Sequence, residues 1–343
     1  MDQIIRIGMD TSKHFFQLHG VNAAEQPVLR RKLRRADVVK FFGGLRPTEV
    51  GMEACGAAHH WARVLTDLGH TIKLIAPQHV KPYVRRNKND GRDAEGLCEA
   101  MSRPTMWFVP VKTAEQQAAL MLAGTREQLV ARRTQVSNAI RGYAAEFGVA
   151  MPRGLDKIEP LLARIAEDQS VPELARELFA LYAADYAQLQ LQVKAIDARL
   201  LAWHRANADS RRLAEIPGIG PIGASALVMK APDPKAFASG RDFAAWMGLT
   251  PKDHSTGGKT RLGKITRAGD ERLRSLLVAG ATAVIQQVRL GRGRASAWLL
   301  ALLARKPPKL AAVALANKMA RTAWKLMVTG DRYRSADAAA QAA

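Results

Sequence analysis

The sequence predicts an α/β unit followed by mostly helical chain. Residues 1–112 form a mixed sheet with helices, 113–210 a helical or coiled-coil arm, 211–335 a mostly helical C-terminal domain and 336–343 a flexible tail. Three observations carry this. Before residue 112, short runs rich in β-branched residues alternate with amphipathic stretches. From 113 the composition turns to Ala, Leu, Gln, Glu and Arg, with few strand formers. From 211, helical stretches are punctuated by Gly and Pro. The 343 residues have room for two or three domains at roughly 100–200 residues each, and 48% hydrophobic content is enough for their cores.

The first strand is the apolar run 4–9. Residues 14–21 follow after a polar turn, and 27–33 make a third strand, so the short connections predict an antiparallel meander. Residues 36–45 read as a helix, 49–52 as a fourth strand, and 57–68 as an amphipathic helix stopped at Gly69. Residues 71–76 are a fifth strand closed by Pro77, and a helix should begin within Lys88-Asn89-Asp90-Gly91-Arg92-Asp93-Ala94-Glu95. The order β-β-β-α-β-α-β-α is the ribonuclease-H-like arrangement, a mixed sheet with helices on both faces.

Residues 113–147 and 172–207 have helical spacing. The second stretch carries a long apolar seam of Leu174, Leu178, Leu181, Tyr182, Leu189, Val193, Ile196, Leu200 and Trp203. Met151-Pro152-Arg153-Gly154 and Ile158-Glu159-Pro160 are expected to break the helix between them. An ordinary bundle layer would show the same periodicity; polar outer faces favour an extended arm or dimerisation element. The C-terminal domain opens on Ile216-Pro217-Gly218-Ile219-Gly220-Pro221, the pattern of a helix-hairpin-helix. Its backbone N–H groups at a helix start, around Gly218 and Gly220, suit a DNA phosphate, although a structural turn would look alike. A polar loop follows at 250–270, then helices at 271–289, 295–304 and 309–328.

The chain carries 52 Lys+Arg against 31 Asp+Glu, a formal charge of +21 and a pI of about 10.5. That balance favours a polyanion partner, nucleic acid before a membrane surface. No apolar run approaches the roughly 18–20 residues of a spanning helix. Cys55 and Cys98 form no CxxC, which argues against a cysteine zinc site or a disulfide framework and fits a reducing cytosol. Met1-Asp2-Gln3 leads into a strand without the basic and apolar regions of a signal peptide, so the expected location is cytoplasmic, with the nucleoid.

In so basic a chain, four acids stand out. Asp10 ends the first apolar run and Glu53 ends Val50-Gly51-Met52-Glu53; Asp90 and Asp93, three apart, would share a helix face. Phosphodiester chemistry can use two Mg²⁺ ions roughly 3.5–4 Å apart. Mg²⁺ takes oxygen ligands, so three or four converging carboxylates can hold such a pair. Singly, each acid has a plainer reading: Asp10 capping a turn, Glu53 pairing with an arginine, Asp90 or Asp93 as a helix N-cap. Glu95 and Glu99 extend the same helix and are runners-up. His59 and His60 read as surface or packing residues.

The second polar constellation is Lys252-Asp253-His254-Ser255-Thr256-Gly257-Gly258-Lys259, followed by Arg261, Lys264, Arg267, Arg272 and Arg274. Glycines allow close backbone approach to a phosphate and the basic residues neutralise it. Ser255 is either a covalent nucleophile in that field or part of a solvated phosphate-binding loop.

In order and spacing, Asp10, Gly51-Met52-Glu53-Ala54, Lys88-Asn89-Asp90-Gly91-Arg92-Asp93-Ala94, Ile216-Pro217-Gly218-Ile219-Gly220 and His254-Ser255-Thr256-Gly257-Gly258-Lys259 resemble the DEDD-type insertion-sequence transposases, relatives of the pilin-gene invertases. The resemblance covers essentially the whole chain, with signatures specific in combination and weak apart. It implies a RuvC-like N-terminal domain with Asp10, Glu53, Asp90 and Asp93 as Mg²⁺ ligands. It also implies a serine, matching Ser255, that attacks a DNA phosphodiester and forms a transient phosphoserine link. Thr256 stands where some relatives have a second serine. The resemblance further implies guidance by a structured non-coding RNA pairing with donor and target DNA. Dimers would assemble into tetramers, one subunit's acidic site being completed by another's serine. Base pairing would then supply sequence choice, which suits a charge of +21 with only 6% aromatic residues. A metal-dependent, junction-resolvase-like nuclease without a serine step is the alternative; a non-catalytic nucleic-acid-binding protein would need neither metal nor serine.

Overall fold

The computed structural model describes residues 3–84, 90–293 and 295–334, with the backbone but not the side chain of Asp90. The chain divides into two compact units, Met1–Gln117 and Ala118–Ala343. The first is a mixed α/β domain and the second is mostly helical.

In the first unit, β1 (Arg6–Thr11), β2 (Phe15–Val21) and β3 (Pro27–Arg34) form the expected antiparallel meander. Helix α1 (Val38–Gly43) leads to β4 (Glu49–Glu53), α2 (Ala58–Asp67) and β5 (Thr71–Ile75). Short α3 (Pro77–Val80) and α4 (Asp90–Ala100) follow, then β6 (Phe108–Val109). The sheet order is β3-β2-β1-β4-β5-β6, with β4 parallel to both β1 and β5, and β6 antiparallel to β5. Strand β6 is additional to the expected elements, because two residues carry no readable period.

The sheet has two different faces. Ile7, Met9, Phe16, Leu18, Val50, Met52 and Leu74 pack against Val38 and Phe42 of α1 and Trp61, Ala62 and Leu65 of α2. Burying each large side chain contributes roughly 1.5–3 kcal/mol relative to exposure. The alternate residues face α4. A Cβ on Gly8 would lie 2.0 Å from the Ala94 carbonyl oxygen and 2.5 Å from the Cys98 nitrogen, so only glycine admits the helix this close. Gly51 likewise faces Met101, just past the end of α4.

The second unit contains α5 (Ala114–Glu146, which starts in the last residues of the first), α6 (Ile158–Glu167) and α7 (Glu173–Ala206). The expected break at Ile158-Glu159-Pro160 is instead the start of α6. Pro160 sits in the first turn, where its missing N–H removes no intrahelical bond. Ile158, Leu161 and Ile165 fill a small core with Ile140 and Ala144 of α5 and Phe179 and Tyr186 of α7. Arg126 Nε and Asp197 Oδ1, 2.5 Å apart, tie α5 to α7 farther along. The expected seam of α7 is only partly buried: Leu189, Val193 and Leu200 are inside, while Leu174 and Leu181 are each 68% exposed.

A separate core lies among α8 (Ala208–Leu213), α9 (Pro221–Lys230), α10 (Gly240–Trp246), α11 (Glu271–Arg289), α12 (Ala297–Arg305) and α13 (Pro308–Thr329). Asn207, Ser239, Asp270 and Ser296 cap α8, α10, α11 and α12. The expected loop at 250–270 contains a two-stranded ribbon, β7 (Pro251–Asp253) and β8 (Leu262–Ile265). Its residues are almost all exposed, so no buried alternation marks it in the sequence. The expected tail, 336–343, lies outside the described residues. Among those described, no helix is long and apolar enough to cross a membrane.

Candidate functional site

Asp10 lies two residues past Gly8 and Glu53 two past Gly51. Side chains alternate along a strand, so both acids stand on the face that α4 covers. They are also neighbours along the edge. Parallel β1 and β4 pair Gly8 with Gly51 and Met9 with Met52, and Asp10 and Glu53 come next on each strand. Just beyond, the Thr11 hydroxyl lies 3.8 Å from Cys55 Sγ. Both carboxylates are half-buried.

Helix α4 brings the third acid. Cys98 Sγ is 3.9 Å from the Arg6 carbonyl oxygen, and Ala94 lies over Gly8. The helix therefore runs antiparallel to β1, with its first turn toward Asp10. Asp93, half-buried, is in that turn and precedes buried Leu97 by four residues, on the same helix side. Asp90 begins α4; its side chain lies outside the described residues. Among those described, no group of three or more His, Cys, Asp or Glu residues is drawn close enough to hold a metal ion. The donor set nonetheless fits a hard divalent cation in kind, since Asp10, Glu53 and Asp93 all offer carboxylate oxygen. Of the runners-up, Glu95 faces His19 and Glu99 pairs with Arg103 at 2.5 Å.

Beside the acids runs a basic groove that the sequence alone does not reveal. Gln17 is the register partner of Asp10 on β2, and His19 that of Gly8. Across the next pairing, Lys32 faces Gln17 and Arg30 faces His19. These four residues, with Arg92 and Glu95 of α4, line a groove of about 560 Å³. His19 is buried in it, and burial pushes its ring below the usual histidine range, Glu95 opposing and Arg30 reinforcing the shift. The signal available in the sequence is the run Arg30-Arg31-Lys32, whose alternation puts Arg30 and Lys32 on one face, but only the register shows that this face lies in line with Asp10.

Ser255 stands at the end of the β7–β8 ribbon, in the second unit. Thr256 and Lys259 close the hairpin through Gly257 and Gly258, whose φ values of +55° and +77° make the two-residue turn that suits twisted strands. The Ser255 N–H donates to Asp253 Oδ1 at 2.8 Å, and Ser255 Oγ accepts the Arg261 N–H at 3.0 Å. Lys259, Arg261, Lys264 and Arg267 are all exposed around it. Arg274 instead donates to the Met247 carbonyl at 3.0 Å and braces the ribbon's base. His254 donates its backbone N–H to Arg261, and its ring lies over Gly263.

Gly218 has φ +90°, and Gly220 precedes α9 without a side-chain cap, so the first-turn N–H groups of α9 have no side-chain acceptor. His59 is a packing residue: its Nδ1 accepts the Lys112 N–H at 3.1 Å.

A DEDD-type IS110 transposase profile matches residues 7–147, and one described as transposase IS116/IS110/IS902 family matches residues 210–296. A Sinorhizobium fredii protein with a transposase name is 66% identical over 99% of this chain and 88% of its own length. A Pseudomonas aeruginosa protein with a family 20 transposase name is 46% identical over 96% of this chain and 98% of its own. The transposase for insertion sequence element IS1328 of Yersinia enterocolitica is 40% identical over 96% and 98%.

Proposed function

The chain belongs to the IS116/IS110/IS902 family of transposases, enzymes that cut and rejoin DNA, and we propose that it does so with carboxylates of its first unit and Ser255 of its second. The observation that carries this is the placement of Asp10 and Glu53 at adjacent parallel strand ends, on the face covered by α4. This sheet order and placement favour a ribonuclease-H-like, RuvC-like first unit. Asp10, Glu53, Asp90 and Asp93 would hold Mg²⁺. When bound, the metal polarises the phosphodiester and stabilises charge on the leaving oxygen.

The protein's own groups do the remainder. Rigid strand ends hold Asp10 and Glu53, so little reorganisation is needed as a phosphate arrives. Arg30, Lys32 and Arg92 bind the backbone of the strand leading to the acids. The turn around Gly218 and Gly220 offers N–H groups to a second stretch of backbone. On the ribbon, Lys259, Arg261, Lys264 and Arg267 draw a phosphate to Ser255, whose hydroxyl loses its proton and attacks phosphorus, forming a phosphoserine link as the P–O bond to the departing strand breaks and that strand leaves with its oxygen. A structured RNA encoded beside the protein would choose the DNA by base pairing, leaving the protein to grip backbones. Dimers assembling into tetramers would let one subunit's serine serve another's carboxylates.

The test is Ser255→Ala, assayed with Mg²⁺ on DNA from the element's own end. Loss of both rejoining and the covalent protein–DNA adduct is expected. If both survive, the serine mechanism is wrong; if cleavage alone survives, the chain is a metal-dependent nuclease.

A further inference from the structure

We propose that Asp253 is a catalytic residue that orients the Ser255 hydroxyl and receives its proton; the inference rests on Ser255 being the attacking group. A serine hydroxyl has one hydrogen to give and two lone pairs to accept with. One lone pair is taken by the Arg261 N–H at 3.0 Å. Asp253, two residues earlier on the same ribbon, accepts the Ser255 N–H at 2.8 Å, which sets its carboxylate beside the Ser255 side chain. The hydroxyl hydrogen thus has a carboxylate beside it to turn to, and Ser255 is exposed to solvent, where a phosphate would arrive.

Composition strengthens the case. Between Gly248 and Gly269, Asp253 is the only acid, set among Lys252, Lys259, Arg261, Lys264 and Arg267. A carboxylate in a loop that merely binds phosphate would weaken binding, so its position against the serine calls for a role in the chemistry. The Ser255 side chain and N–H beside it, and then the nearby His254, hold its carboxyl below the usual range, so it is ionised and purely an acceptor at neutral pH. In the step itself, the Oγ–P bond forms as the P–O bond to the departing strand breaks. The bonding pair leaves with that strand's oxygen, which takes a proton from water. The serine proton passes to Asp253, which returns it to water.

The test uses the full chain, made together with the whole element that encodes it, with Mg²⁺ and duplex DNA from the element's own end. Asp253→Asn keeps the acceptor for the Ser255 N–H, and so the turn, but removes the proton acceptor. Adduct formation is expected to slow by about 100-fold, the lower range for removal of a general base, and then to quicken with rising pH where the parent is flat. Affinity for the same DNA should not fall. If Asp253→Asn forms adduct at the parental rate and only Asp253→Ala is slow, Asp253 merely shapes the turn; the inference fails and the serine mechanism stands. If Ser255→Ala still forms adduct, the serine mechanism fails and this inference with it. A readout without turnover is the Asp253 carboxyl titration followed by NMR. Ser255→Ala should raise it, and an unchanged titration would overturn the proposed hydrogen bond.

Discussion

Gly280 and Gly218 meet backbone to backbone: a Cβ on Gly280 would stand 1.9 Å from the Gly218 carbonyl oxygen. This approach seats the turn between α8 and α9 on α11. Gly280→Ala must push the two apart, and overpacking of this kind costs about 1–3 kcal/mol. The midpoint of urea unfolding should drop accordingly, and DNA affinity with it if the displaced turn binds backbone.

Gly8→Ala tests the corresponding close approach in the first unit. The added methyl collides with Ala94 and Cys98 backbone atoms and lifts α4 off β1. The expected destabilisation is again about 1–3 kcal/mol. DNA cleavage should suffer more than stability does, because Asp93 moves with the helix.

Asp10→Asn and Glu53→Gln keep shape and remove charge. Losing even an outer partner of a metal ligand costs 10–100-fold, so each change should lower cleavage by more than about 100-fold. DNA binding, measured by gel shift, should hold or improve. Unaltered cleavage in either variant would exclude that carboxylate from the metal site.

Arg30→Ala and Lys32→Ala should weaken DNA binding with little effect on folding, since both side chains are exposed. The slope of log affinity against log salt should fall by about 0.9 for each duplex phosphate that is no longer neutralised. A slope equal to the parent's would place the DNA elsewhere.

His59 supplies a prediction about pH. Burial first, then the charges of Lys112 and Arg63, push its ring down from 6.5 to about 4. The folded state keeps it neutral, while the unfolded chain takes up a proton below pH 6.5. Its contribution is therefore fully present above pH 6.5 and is lost as pH falls from 6.5 to about 4. His59→Gln should flatten the dependence of urea midpoints on pH across that window.

What is legible in the sequence follows from what each element buries. The strands ending near Asp10 and Glu53 are buried apolar runs, so both their existence and the acids at their ends can be read. The β7–β8 ribbon is exposed on nearly every residue, so nothing periodic announces it, although Gly257-Gly258 carries the turn signal. Pro160 reads as a stop because the residues around it give no hint that it falls in a first turn. Leu174 and Leu181 keep helical spacing with the buried residues of α7 yet face solvent, because periodicity defines a stripe and not the partner that covers it. The groove of Arg30 and Lys32 needs the register of three strands.

Were Asp10, Glu53 and Asp93 to hold an ion in common, the close seating of α4 on Gly8 would make ion binding and helix docking one thermodynamic event. Asp10 and Glu53 belong to the sheet and Asp93 to the helix, so an ion shared among them is a clasp between two segments. Whatever loosened the helix would then weaken the ion, and by linkage the ion would stiffen the helix by the same free energy.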